Sequence, residues 1–193
     1  AAAVFEITRQ RGCVARKSVA ASGPQIYFLS DDGVFTLQQG LDPAKGLGVA
    51  ISKVSGEAIP LSRPIQDQFK EVNYAAADKA CGIVFDNKYF LACPTGSSTD
   101  NNKIFVYDIL NTAWTSIDTF PSGFVIDDFV TVLHGSDPKR RRLFAVNDKG
   151  WHLVDEADTD ITGTIGNAST TSTAITAKLK TRSFTLGSID VKS

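Results

Sequence analysis

At 193 residues the chain is long enough for one or two domains with a proper core, and its 42% hydrophobic and 21% charged residues are ordinary for a globular protein. No run approaches the roughly 18 to 20 apolar residues of a membrane helix. Twenty Lys and Arg against 21 Asp and Glu leave a net charge of −1, so the overall field points to neither nucleic acid nor an anionic membrane, and a protein partner is expected.

Val4, Phe5 and Ile7 open as a strand, without the basic leader and long apolar core of a signal peptide, so no secretion route is visible. The chain has no methionine, and with a strand pattern at each end it reads as a fragment or a processed chain. One short unit then recurs three times. Ile26-Tyr27-Phe28-Leu29 turns through Ser30-Asp31-Asp32-Gly33 into Val34-Phe35-Thr36-Leu37; Lys88-Tyr89-Phe90-Leu91 precedes Lys103-Ile104-Phe105-Val106-Tyr107; Arg142-Leu143-Phe144-Ala145-Val146 precedes Gly150-Trp151-His152-Leu153. Each copy predicts a hairpin, with Asp32-Gly33 and Lys149-Gly150 supplying tight turns. Aligning the copies on Phe28, Phe90 and Phe144 gives spacings of 62 and 54 residues, those of propeller blades carrying insertions. A hairpin that cannot bury its own apolar face must stack on its neighbours. The predicted class is therefore all-β, with about three propeller-like blades.

Between the first two copies, Leu61-Ser62-Arg63-Pro64-Ile65-Gln66-Asp67-Gln68-Phe69 predicts a short amphipathic helix, with Ser62 as N-cap, Pro64 in the first turn, and Leu61, Ile65 and Phe69 on one face. Pro94 to Asn102 replaces the tight turn of the middle copy and reads as a surface loop. Residues 1–160 form the propeller portion in this reading. Residues 161–176 are a Ser/Thr-rich loop or linker, and 177–193 begin a further β unit or a return strand. The expected core aromatics are Phe5, Tyr27, Phe28, Phe35, Phe85, Tyr89, Phe90, Phe105, Trp114, Phe144 and Trp151.

Little in the chain has the pattern of chemistry. Asp31-Asp32 and Asp127-Asp128 are adjacent, and neighbours on a strand point to opposite faces, so turn-forming or solvated roles are expected. His134 reads as a turn residue and His152 as a strand residue outside any nucleophile and base constellation. Cys13, Cys81 and Cys93 have no metal-ligand spacing; buried free thiols fit Cys81 and Cys93 better than a disulfide, which favours a reducing compartment. Asp100-Asn101-Asn102 lacks the ligand spacing of a calcium loop. No catalytic residue, cofactor or metal is expected. The one dense charge run, Lys139-Arg140-Arg141-Arg142, reads as a solvated hairpin loop or as a contact for phosphates or for an acidic patch on a partner.

Gly12-Cys13-Val14-Ala15-Arg16-Lys17-Ser18-Val19, followed by Leu29-Ser30-Asp31-Asp32-Gly33-Val34, resembles the run that leads into a short hairpin in β-propeller tail proteins of short-tailed bacteriophages. Ser62-Arg63-Pro64-Ile65, Lys88 to Pro94, Asn102 to Asp108 with Ala113-Trp114-Thr115, and Lys180 to Gly187 are similar to further parts of the same proteins. The resemblance spans most of the chain. It implies a structural virion protein, a tail nozzle, tubular tail or tail-stabilisation protein made in the host cytoplasm. It also implies a homo-oligomeric ring, contacts with other tail or portal-adaptor proteins, and genomic DNA passing nearby without sequence-specific binding. A Kelch-like cellular propeller that binds protein through the loops at 94–102 and 137–142 is the alternative; a propeller hydrolase or lyase fits less well.

Overall fold

Two-residue turns set the frame of the fold. The computed structural model describes residues 11–42, 46–51, 53–54, 57–120, 123–133, 141–154, 159–162 and 171–174. Strands β1 (Ala20–Ser22), β2 (Gln25–Ser30), β3 (Gly33–Asp42) and β4 (Gly46–Ile51) form one antiparallel meander, sheet I. A small pair, β5 (Lys53–Val54) and β6 (Glu57–Ala58), follows. Sheet II contains β7 (Cys81–Phe85), β8 (Lys88–Cys93), β9 (Lys103–Asp108) and β10 (Ala113–Thr119), again in sequential order. Sheet III contains β11 (Asp128–Leu133), β12 (Arg141–Asn147) and β13 (Gly150–Val154). The chain is all-β, and each of the three repeated units is a hairpin: β2–β3, β8–β9 and β12–β13.

The turns also decide which side chains face which way. Ser22 pairs with Gln25 around Gly23-Pro24, and Phe85 pairs with Lys88 around Asp86-Asn87. Gly23 takes φ +55°, and Asp86 and Asn87 take +47° and +57°, the left-handed geometry that matches strand twist in a two-residue hairpin. Gln25 is thus the counterpart of Lys88, and Tyr27 that of Phe90. The second hairpin gives the same register: Ser30 pairs with Gly33 around Asp31-Asp32, Asn147 with Gly150 around Asp148-Lys149, so Tyr27 is the counterpart of Phe144. The alignment on Phe28 is therefore one residue out, and a slip of one moves every side chain to the opposite face.

With that register the sheets stack in one constant sense. The face of sheet I bearing Tyr27 and Leu29 meets the face of sheet II bearing Tyr89, Leu91 and Cys93. The opposite face of sheet II, with Phe90 and Ala92, meets Leu143 and Ala145 of sheet III. Five successive residues of β8, Tyr89 to Cys93, are buried because both faces of its sheet are covered. The larger apolar side chains among them, Phe90 and Leu91, each contribute on the order of 1.5 to 3 kcal/mol by leaving water. The first strand of the middle sheet, β7, lies beside β1 and β11, so the three meanders fan out from adjacent inner strands.

The segment between sheets I and II is a short 3₁₀ turn, Arg63–Ile65, running into α1 (Gln66–Phe69). Phe69 packs on Phe105 and Trp114 with ring centroids 4.5 and 5.5 Å away, and Leu61 and Ile65 pack against the same core. Ser62 does not cap this helix. Its backbone is αR, and its buried hydroxyl instead accepts a hydrogen bond from the Val34 amide at 3.1 Å. A second 3₁₀ segment, Tyr74–Lys79, leads into β7 with Asn73 accepting from the Ala75 amide.

Of the expected core aromatics, Tyr27, Phe28, Phe35, Tyr89, Phe90, Phe105 and Phe144 are buried, Phe85 and Trp114 partly so, and Phe5 lies outside the described residues. Trp151 is a correction: it is 58% exposed, because it projects with Val146 from the face of sheet III turned away from sheet II. The chain divides into two compact units at Asp155 and Glu156 rather than after residue 160. In the second unit, β14 (Thr159–Thr162) pairs with β15 (Thr171–Ala174), so β-branched Thr and Ile make strand where a linker was expected. Residues 177–193 lie outside the described residues.

Gly33 sits just after its turn, at φ +116°, and a Cβ there would stand 2.1 Å from Ser62 Oγ. Gly33→Ala should cost at least about 2 kcal/mol, from backbone strain and loss of the Val34 to Ser62 bond. Gly23→Ala, with open space around it, should cost about 1 to 2 kcal/mol. Urea unfolding of the two variants measures both.

Candidate functional site

The three inner strands begin side by side, so the segments that feed them converge. Arg16 and Lys17 precede β1, Asp78 and Lys79 precede β7, Ile126 and Asp127 precede β11, and Asp100 and Asn101 precede β9. Together they line an open cleft of about 290 Å³.

Ion pairs and one buried amide hold its walls. Lys17 Nζ lies 2.9 Å from Asp128 Oδ2 and donates to the Asp127 carbonyl, so it ties the entry of sheet I to the entry of sheet III across sheet II. The hydrogen bond to Asp128, then the carboxylate's charge, raises the Lys17 pKa. Lys79 pairs with Asp100 at 2.7 Å and its pKa is raised by that hydrogen bond. Such half-exposed pairs are screened by salt and orient more than they stabilise. Asn101 is only 2% exposed; its Nδ2 donates to the carbonyls of Lys79 at 2.9 Å and Ile126 at 2.7 Å, and its own carbonyl accepts from the Ile126 amide. Among the described residues its Oδ1 has no hydrogen-bond donor.

The residues singled out in the sequence are dispersed. Lys139, Arg140 and His134 lie outside the described residues. Arg141 and Arg142 are not in a loop but start β12, opposite Leu133 and Val132, so they alternate across the sheet. Asp31 and Asp32 form the β2–β3 turn beside Arg11, 3.5 and 3.3 Å from its guanidinium nitrogens. The Pro94 to Asn102 loop is anchored: Thr95 and Asn101 are buried, and Asn102 Oδ1 accepts from the Thr95 amide and hydroxyl.

The remaining polar groups are quiet. His152 packs edge-on against Phe124 with Nε2 3.1 Å from Asn147 Oδ1, and burial, then Lys149, lowers its pKa. Its folded pKa being depressed, its contribution to stability is complete above its ordinary value of about 6.5 and declines as pH falls below it. Cys81 and Cys93 are buried free thiols on opposite faces of sheet II; burial pushes Cys81 up to about 12 and Cys93 well above its ordinary value, leaving both neutral and unreactive. Among the described residues no group of His, Cys, Asp and Glu has the arrangement of a metal centre. Sequence reasoning missed the cleft because its walls come from four stretches up to 111 residues apart, such as Lys17 and Asp128.

No protein-family model, no curated protein and no solved structure matches the chain.

Asn101→Leu leaves the Lys79 and Ile126 carbonyls without their donor in a buried setting. The expected loss is about 2 to 4 kcal/mol of unfolding free energy in urea, at roughly 1 to 3 kcal/mol for each stranded group. A loss under about 1 kcal/mol would show that this amide does not hold the cleft together.

Proposed function

We propose that the chain is a structural protein of a short-tailed bacteriophage tail, a nozzle or tubular-tail component. In this reading its stacked sheets form a sector of a propeller-like body, and its copies assemble around the path of the genome. The observation that carries the reading is the stacking of three sequential meanders in one sense from adjacent inner strands. Such an array is rigid, repeats the same interface, and presents loops at both ends of its strands for neighbours.

The residue-level resemblance to phage tail propeller proteins supplies the biological setting. Much of the chemistry of the described residues is in keeping with a scaffold: the Cys81 and Cys93 thiols buried and protonated, a histidine packed on an aromatic ring, carboxylates placed in turns and ion pairs. The anchored Pro94 to Asn102 loop favours this reading over a Kelch-like module, which would use that loop as an adaptable binding surface. The near-neutral net charge suits a conduit through which DNA must pass without being trapped.

Electron microscopy and native mass measurement of the full-length protein in its particles provide the test. A symmetric ring of copies at a phage portal or tail is the expected result. A monomer, or a one-to-one complex with a cellular protein, would sink the proposal and promote the binding-module reading.

A further inference from the structure

Sheets I and II each contain four strands, whereas sheet III ends at its third, β13. In sheet II the third strand is covered along its outer edge by β10, with Val106 opposite Ser116 and Ile104 opposite Asp118. Val106 and Ile104 pair on their other side with Phe90 and Ala92, which makes them the counterparts of Leu153 and Trp151, paired with Phe144 and Val146. Among the described residues no strand pairs with Leu153 and Trp151 from the outer side.

The register fixes what that edge offers. Asn147 and Gly150 close a two-residue turn and exchange both main-chain bonds, as do Ala145 with His152 and Leu143 with Val154 in the alternating ladder. Trp151 and Leu153 therefore turn their N–H and C=O groups away from β12, toward the open edge. Their side chains lie on the face turned away from sheet II, where Trp151 is 58% exposed beside Phe144, ring centroids 6.2 Å apart. The usual safeguards of an edge strand are missing from Gly150–Val154, which has no Lys, Arg, Asp or Glu, no proline and no bulge. The edge strand β10, by contrast, is bulged between Trp114 and Ser116 and carries Asp118.

Two outward residues separated by one suit an antiparallel copy of the same strand. With His152 opposite the partner's His152 on a two-fold axis, Trp151 pairs with the partner's Leu153 and Leu153 with the partner's Trp151, so that every outward group of both residues is matched. Any other antiparallel register leaves one of the two residues without such a match inside β13. The same register sets the indole against the partner's Leu153 and joins the outer faces of the two sheets.

We propose that the chain pairs with a second copy through β13, antiparallel about His152, to make one continuous sheet. The contact belongs to the free chain and does not rest on the phage-tail reading; in a ring of purely rotational symmetry a two-fold contact would have to open.

Sedimentation velocity of the full chain should show a concentration-dependent dimer. Leu153→Pro removes only an outward N–H, which an edge strand tolerates, and should raise the dimer dissociation constant at least about tenfold. Trp151→Lys, at an exposed site, should do the same. Circular dichroism should be unchanged in both. In a Cys13→Ser background, His152→Cys should give a disulfide-linked dimer in oxidised glutathione, because facing residues of a non-hydrogen-bonded pair lie about 4.5 Å apart at Cα. Trp151→Cys, at the more exposed position, faces the partner's Leu153 and should link far less. A monomer at every concentration, or association that neither edge variant weakens, overturns the pairing. A larger ring that persists in Leu153→Pro overturns it too, while leaving the phage-tail reading standing.

Discussion

Everything in the first unit depends on sheet II being covered on both faces. Tyr89 is where that requirement is met most fully: its ring stacks on Tyr27 at 5.2 Å, and its hydroxyl donates to the Ser18 carbonyl at 2.7 Å. Ser18 in turn accepts from the Leu29 amide through its hydroxyl and donates to the Ala15 carbonyl. Sheet I, the segment feeding β1 and sheet II are thus joined through one tyrosine and one serine. Gly82 permits the close approach, since a Cβ there would come within 2.9 Å of the Tyr89 ring and 3.0 Å of the Ser18 carbonyl. A buried tyrosine is stable here because its polar end is satisfied and its ring is stacked; an unsatisfied hydroxyl would forfeit much of the gain from burial.

The cleft follows from that stacking. Once β1, β7 and β11 lie side by side, the segments preceding them have nowhere to go but toward one another, and their polar residues must find partners in a crowded space. Asn101 joins two of these segments through their carbonyls, and Lys17 bridges the outer two. What is left unmatched is therefore a property of the assembly rather than of any one segment.

The fold was legible where local rules act alone. The hairpins at both ends of the unit followed from turn residues between apolar runs, although the turns close around Asp31-Asp32 and Asp148-Lys149, one residue before the Asp32-Gly33 and Lys149-Gly150 pairs that signalled them. Facing was not legible, because Tyr27 and Phe28 are both large and aromatic and only the paired turns distinguish them. Ser62 had every local mark of an N-cap, yet the Val34 amide, 28 residues away, took its hydroxyl. Trp151 looked like core by type, but burial depends on whether another sheet lies against its face. The cleft left no trace in sequence order, since no single stretch contains more than two of its residues.

The most direct test of the account is a pair of double-mutant cycles read by urea unfolding, one coupling Tyr27→Leu to Tyr89→Leu and the other coupling Phe28→Leu to Tyr89→Leu. Stacking in the sense described predicts a coupling of about 0.5 to 1.5 kcal/mol for the first pair and additivity within about 0.5 kcal/mol for the second. Coupling in the Phe28 cycle and none in the Tyr27 cycle would turn sheet I over, and with it the register on which the stack and the cleft are built.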